Sequence, residues 1–536
     1  MGWHRSLFDV VNKARTRGLV IYGAGYWGKI ARRIFERYGV SPLCYADDDE
    51  NKAGTVLGGM EIRTLRDCKA EYENAVYVVC VAEGASDLRR LDMIANLKAL
   101  GLYSDESEMR IPFYYFALFL NTGETIKDRL EDDRFKYDDD YNLCVFCNMS
   151  NSGSYYLEQR LDSHPQILFV PFLESLYVVY ERRLKYLSGD ELIYEIMAQM
   201  CGYFSSPEEL PLCIKDQKFG KFVVDKNGGF IEELLVDPQR FYLELKLQLE
   251  DVNTVRSYGQ LIKTVYAAYN NTTGRKKDPH AGAHWCFYNE HTPNYDVTLV
   301  NEQFDAREFK RIEVLTIIRE PLNHIYSWVN YAVINGRQYK SCKRELFRNI
   351  ISCDLGYMME KKEGISNSRA ICFEDLKLYP DLTMQALCRW MGIAYHNEIL
   401  NVTTTNGIEV FFPSRTEKKL VTGNDRSAVS RKDISDIIPE EDRVRLEVFF
   451  KRFKDAYGYD SPAKDMERYS IEELKEMLRD DFKFARIVND FVGENMPVDG
   501  RYDVNEMIRG LFEEFIDSHY GKNTEYYSKI SKEEAV

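Results

Sequence analysis

Residues 141–161 read YNLCVFCNMSNSGSYYLEQRL, and the reading of this stretch decides the fold of the larger part of the chain. Leu143, Val145 and Phe146 make a short apolar run of the kind that fills a buried parallel strand, and Tyr156, Leu157 and Leu161 then recur at roughly helical spacing. Residues 148–154 between them are small and polar. A strand that feeds a helix through such a loop aims backbone N–H groups at whatever lies above the strand's end, and the helix dipole adds positive potential there. The favoured occupant is an anion. Ser150, Ser152 and Ser154 add hydroxyl donors, and Gly153 admits a close approach to the backbone. The spacing of a Walker A loop is absent, so the ordinary alternative is a Ser-capped turn.

Working outward, 536 residues exceed one hydrophobic core, and two to four domains are expected. With 45% hydrophobic and 29% charged residues the composition is that of a globular protein. The net charge of −15 argues against nucleic acid or an anionic membrane as the global partner, so any anion site has to be a local basic island. The N-terminal residues lack the apolar core of a signal peptide, and no run approaches about 18 uncharged apolar residues. No transmembrane segment and a cytoplasmic location are therefore expected. The 12 cysteines show no framework spacing, and Cys80, Cys144, Cys372 and Cys388 sit in apolar runs, as reduced buried thiols do. Cys144 and Cys147 form the one C-x-x-C, on a predicted strand with no second pair nearby.

Upstream, LVIYGAGYWGKIARRIFERYG is strand, glycine turn and helix, PLCYADDD is a strand ending in acids, and AVYVVCVAE is a third strand. Gly23, Gly25 and Gly28 stand in G-x-G-x-x-G order, with Asp47 placed downstream to meet a ribose hydroxyl. Residues 1–120 read as a small Rossmann-like domain. No catalytic partner for hydride transfer follows it, so a nucleotide-sugar oxidoreductase is the least favoured function. The unit resembles the nucleotide-binding-like domains attached to bacterial sugar-modifying enzymes. That resemblance leaves both a nucleotide or nucleotide-sugar ligand and a docking role open. The acidic stretch 121–140 reads as a linker.

Downstream, residues 175–280 read as an insertion, a lid or acceptor site by its length. In RIEVLTIIREPLNHIYSWVNY a buried strand ends at Arg319, Pro321 opens a helix, and Ser327 follows two turns along. Strand carboxyl ends line the ligand crevice of an open α/β sheet, so Arg319 and the 148–154 loop are expected to share one cleft. SRAICFEDL is a further strand. FFPSRTEKKLVTGNDRSAVSRK sets Arg415, Lys418, Lys419, Arg426, Arg431 and Lys432 against Glu417 and Asp425, a local reversal of the overall charge. The tail, 463–536, is acidic and helical, suited to packing on a partner or on the main domain.

These stretches together resemble the sulfotransferases that use 3′-phosphoadenosine-5′-phosphosulfate (PAPS), the carbohydrate-directed branch above all. SNSGSYYLEQRLDSHPQI looks like the 5′-phosphosulfate loop with its helix and HP turn, NEHTPNY like an EKTPxY segment, and IIREPLNHIYSW like the 3′-phosphate motif. CFEDLKLYPDLTMQALCRWMGI looks like the later YEDL segment, and Arg431 with Lys432 falls where a closing basic loop belongs. The resemblance implies an α/β fold with a P-loop-like sulfotransferase domain over 141–462, a parallel sheet flanked by helices. It implies that Asn151, Ser152, Gly153, Ser154, Tyr155, Arg319, Ser327, Arg431 and Lys432 bind PAPS and that no metal is needed. Glu174 is the expected base, with Glu290 as second choice, and His291 stands beside the breaking bond. The acceptor would be a hydroxyl of a glycan or glycoconjugate, and a homo-oligomer is admitted. Two positions depart from the family: Asn151 stands where Lys or Arg is expected before Ser152, and His291 where the KTP lysine is expected. A protonated His291 would restore part of the lost charge. The second reading is a catalytically degenerate, nucleotide-binding or assembly protein of the same fold.

Overall fold

The computed structural model describes residues 6–81, 87–121, 134–148, 152–173, 176–206, 219, 223–250, 253–275, 278, 284–290, 298–330, 368–413, 420–421, 426, 429, 433–495, 503–522 and 526–535. Contacts divide the chain into two compact units: Met1–Asp132 with Val178–Phe222 and Phe230–Arg256, and Asp133–Tyr177 with Val223–Gly229 and Ser257–Val536. Most of the insertion that the sequence places inside the second domain therefore belongs to the first unit. Most of the expected linker lies outside the described residues.

In the first unit β1 (Leu19–Tyr22), β2 (Cys44–Ala46), β3 (Val56–Leu57), β4 (Met60–Arg63) and β5 (Val76–Val79) form one sheet in the order β3-β4-β2-β1-β5. β1 pairs in parallel with both β2 and β5, and every residue of β1 is buried, as a strand covered on both faces requires. The helix α1 (Leu7–Arg17) precedes the sheet, α2 (Tyr26–Arg37) leaves the glycine turn after β1, and α3 (Leu65–Tyr72) and α4 (Asp87–Leu100) come before and after β5 in the chain.

Aromatic side chains explain why the insertion stays with this unit. The ring of Tyr194, on the helix Gly189–Gln199, meets Phe8 at 5.4 Å and Phe116 at 5.8 Å, while Phe204 meets Phe116 at 5.8 Å and Phe241 at 5.5 Å. Such rings bury large areas and gain from edge-on geometry. Glu195 lies fully buried beside them, accepting a 2.5 Å hydrogen bond from the Tyr114 hydroxyl and facing Arg183 Nε at 3.3 Å. Burial pushes its carboxyl up to about 6, against the pull of Arg183 and Tyr114.

In the second unit β6 (Tyr141–Asn148), β7 (Ile167–Phe169), β8 (His284–Glu290), β9 (Ile312–Ile318) and β10 (Ser368–Cys372) join a short edge strand, Ser528–Lys529. The order is Ser528–Lys529, β10, β9, β6, β8, β7, and every pair is parallel. The doubly covered α/β layout expected from residues 141–161 is present. β6 lies centrally, and the chain leaves it through α5 (Ser154–Leu161) toward β7 on one side and later reaches β9 and β10 on the other.

Alternate residues of the strands serve opposite faces. Ile318, Ala370 and Cys372 pack with Trp328 and with Leu474, Val488, Ile508 and Phe512, so the C-terminal helices cover this face of their own sheet. Leu315, Ile317 and Ile371 pack with Tyr156, Leu157, Leu161 and Leu387 on the other. Beyond α5, the fully buried Asp162 meets the fully buried Arg275 at 2.6 Å. No helix among the described residues is long and apolar enough to cross a membrane.

The raised Glu195 carboxyl favours its protonated form in the fold. Its stabilising contribution is complete below pH 4.5 and is lost as pH rises through about 6, a swing on the order of 2 kcal/mol. The difference between wild-type and Glu195→Gln unfolding free energies, measured in urea from pH 4 to pH 7, is expected to show that swing. A flat difference would refute it.

Candidate functional site

The sheet register carries four chain segments to one end of the second unit. Cys147 of β6 stands opposite Glu290 of β8, Asn148 opposite Ile317 of β9, and Ile318 opposite Cys372 of β10. Because all these strands run in parallel, Glu290, the loop after Asn148, Arg319 and Phe373 all emerge at the carboxyl edge. That edge is where an open α/β sheet holds its ligand.

Gly153 occupies the N-cap of α5 with φ 94°, a left-handed conformation that favours glycine. Its backbone oxygen accepts from the N–H of Tyr156 at 3.1 Å and of Leu157 at 3.3 Å. A Cβ here would lie 2.4 Å from Cδ2 of Phe373, so the ring of Phe373 rests directly on the glycine. The guanidinium of Arg319 lies 4.7 Å from the centroid of the same ring. One aromatic side chain thus joins the loop after β6 to the cation after β9, and a guanidinium on an aromatic face is both attracted and oriented.

Ser152 and Ser154 are buried, and Arg319 is 4% exposed. The ring of Tyr155 meets that of Phe172 edge-on at 5.0 Å. Phe172 itself holds φ 58°, which for a bulky residue is an outlier. Ser327 is half-buried on the helix Pro321–Val329. Of the other expected site residues, Asn151, Glu174, His291, Arg431 and Lys432 lie outside the described residues.

Glu290 is buried, and a hydroxyl chain leads into it. The backbone N–H of Leu176 donates to the Tyr258 hydroxyl at 3.1 Å, the hydroxyls of Tyr258 and Tyr288 are 2.8 Å apart, and Tyr288 donates to Glu290 Oε2. The backbone donor at one end and the carboxylate at the other fix the direction of all three bonds. Beside it, Asn289 donates to the fully buried Glu158 of α5. His164, in the HP turn, bonds Ala394 O through Nε2 at 2.7 Å and accepts the Gln166 N–H at Nδ1. With Nδ1 accepting, Nε2 carries the proton and donates, so the turn is locked by a neutral imidazole.

Sequence reasoning named Gly153 and Arg319 but missed Phe373, Tyr288 and Tyr258. Phe373 stood in the quoted CFEDL segment, but its role depends on the β9–β10 register.

In the first unit, the Cβ of a side chain at Gly28 would lie 2.0 Å from Gly23 O, and at Gly23 (φ 115°) 2.4 Å from Cys80 O, whereas Gly25 faces open space. The glycine pattern is thus met by close backbone packing at two of its positions, helix on turn at Gly28 and turn on the chain after β5 at Gly23. Asp47 accepts the N–H of Ala24 at 2.8 Å and of Asp49 at 3.0 Å and meets Lys52 Nζ at 3.0 Å. Burial works to raise its pKa, but these donors outweigh burial and hold the carboxyl below the usual range. The glycine turn and the ammonium already engage the carboxylate expected at a ribose.

No family model matches the chain, and a search of curated proteins finds no match. Among solved structures it is similar to the "Sulfotransferase Domain from the Curacin Biosynthetic Pathway", at 13% identity and TM-score 0.32, over 60% of this chain and 99% of that one. It is also similar to the "Sulfotransferase Domain from the Synechococcus PCC 7002 Olefin Synthase", at 14% identity and TM-score 0.28, over 62% of this chain and 100% of that one. Likeness this loose carries no functional argument.

The Gly153–Phe373 contact predicts a specific coupling. Gly153→Ala should destabilise by roughly 1–3 kcal/mol through overpacking and strain, and about 0.5 kcal/mol or more of that cost should vanish in a Phe373→Leu background. Additive costs in urea unfolding would show that the ring does not rest on the glycine.

Proposed function

We propose that the second unit transfers a sulfuryl group from PAPS to a hydroxyl of a glycan or glycoconjugate. The observation that carries this reading is the Gly153–Phe373–Arg319 assembly at the carboxyl edge of the sheet. It joins a hydroxyl-bearing loop at a helix N-terminus to a guanidinium on a neighbouring strand, two anion-binding devices held at a fixed separation. A nucleotide with separate 5′ and 3′ anionic groups suits such a pair. Ser152, Ser154 and the first N–H groups of α5 would hold the 5′-phosphosulfate, and Arg319 with Ser327 the 3′-phosphate. The bound nucleotide would supply the sulfuryl group and an already anionic leaving group. The chain's part is to position, to neutralise charge and to accept the acceptor's proton.

For the proton, Glu290 is the best-supported base among the described residues. Its place at the carboxyl edge and the tyrosine chain that orients it both favour that assignment. The glycan acceptor rests on the resemblance of the sulfotransferase-like motifs and of the first unit. Asn151, where a cation is expected, favours a second reading, a nucleotide-binding protein without turnover.

Thermal or chemical unfolding with 3′-phosphoadenosine 5′-phosphate at 100 times its Kd should show about 2.7 kcal/mol of added stability, lost in Arg319→Ala. Absence of a shift in the wild type would overturn the donor site. Glu290→Gln should keep that shift and lower sulfuryl transfer by about 100-fold or more. A shift in the wild type with no transfer to any hydroxyl would favour the second reading.

A further inference from the structure

We propose that Glu374 is a positioning residue for the anion-binding arm around Arg319, an inference that rests on the phosphonucleotide reading above. Arg319 directly follows β9, and Pro321, which has no N–H, opens the next helix. The N–H of Glu320 is therefore the last backbone donor before that helix, and it donates to Glu374 Oε1 at 3.1 Å. The other oxygen, Oε2, accepts the Tyr459 hydroxyl at 2.7 Å.

Glu320 is held by its side chain as well. Its carboxylate caps the helix through the Asn323 N–H at 2.8 Å and meets Lys454 at 3.1 Å, and Lys454 in turn meets Glu447 at 2.7 Å. Ser461 donates to the far oxygen of Glu447. The segment from Glu447 to Ser461 thus braces the end of β9 from behind, through one lysine and one tyrosine.

What singles out Glu374 within this network is its neighbour. Phe373 places its ring against the Arg319 guanidinium, and Glu374, the next residue, accepts from the peptide just past Arg319. Two consecutive residues of one turn therefore fix both the side chain and the backbone of the cation. Burial pushes the Glu374 carboxyl up, while Tyr459, the Glu320 N–H and Arg319 favour its charged form. A guanidinium set in this way is oriented before its ligand arrives, and a misplacement of about 1 Å is enough to cost up to 100-fold in such a site.

A brace with no part in binding would weaken the whole fold without preference between ligands. A positioning residue affects the 3′-phosphate alone. The test compares calorimetric affinities for 3′-phosphoadenosine 5′-phosphate and 5′-AMP in the full chain. The wild type should prefer the former. Glu374→Ala should lose about tenfold of that preference with 5′-AMP binding unchanged, and Glu374→Gln, which keeps an acceptor oxygen, should retain most of it. Tyr459→Phe, which frees one side of the carboxylate, should lose part of it and carries the same test if Glu374→Ala does not fold. An unchanged preference, or equal losses for both nucleotides, would overturn the positioning role and leave the donor site standing. A wild type without preference would overturn the donor site, and this inference with it.

Discussion

Arg275 is buried, and the surrounding chain converges on its guanidinium. Its Nη1 reaches Phe169 O at 2.5 Å and Asn270 Oδ1 at 2.9 Å, and its Nη2 reaches Asp162 Oδ1 at 2.6 Å and Asn406 Oδ1 at 2.7 Å. Asp162 accepts in addition from Thr404 Oγ1 and from the N–H groups of Asn406 and Gly407. Removing one partner of such a pair strands a buried charge at a cost of about 3–5 kcal/mol. The pair therefore ties the end of β7, the residues after the helix Tyr258–Thr272 and the Thr404–Glu409 turn to one point. Asp162 is also the C-cap of α5, so the helix is fixed at its far end. Its near end, with Ser152 and Gly153, is then aimed by a rigid rod.

The opposite end of that rod is a place where charge is directed. The chain as a whole is at −15, yet the carboxyl edge around Gly153 presents Arg319 on an aromatic face, with its backbone neighbour anchored by Glu374. Under the proposed function, anion recognition would depend on aim more than on the amount of positive charge. A guanidinium already aligned gives up less conformational freedom on binding than one on a free side chain.

Much of this frame was legible in the residues. The apolar run at Leu143–Phe146 and the helical spacing after it correspond to β6 and α5, and Arg319 does follow a buried, mostly apolar strand. Those signals are local, set by burial on both faces and by helical periodicity. Phe373 was not legible as a site residue, because its meaning comes from the pairing of Ile318 with Cys372, segments about 50 residues apart in the chain. Glu158, Asp162 and Glu195 carry no burial signal in the sequence, and only the partners brought to them by the fold make their burial tolerable. Asp47 shows the converse. Its spacing after Gly28 matches a ribose contact, and in the fold its carboxylate also accepts from the Ala24 N–H of that turn and from the Lys52 ammonium.

The aromatic cluster around Tyr194 also sets an order of events at the ribosome. The strands of the first sheet and the rings of Phe8 and Phe116 leave the exit tunnel well before Tyr194, which packs against both rings. At about 5–20 residues per second the nascent sheet waits several seconds with that apolar face bare. During that interval β6 and α5 are also made, without the later strands they pair with. Two incomplete surfaces are then present on one growing chain.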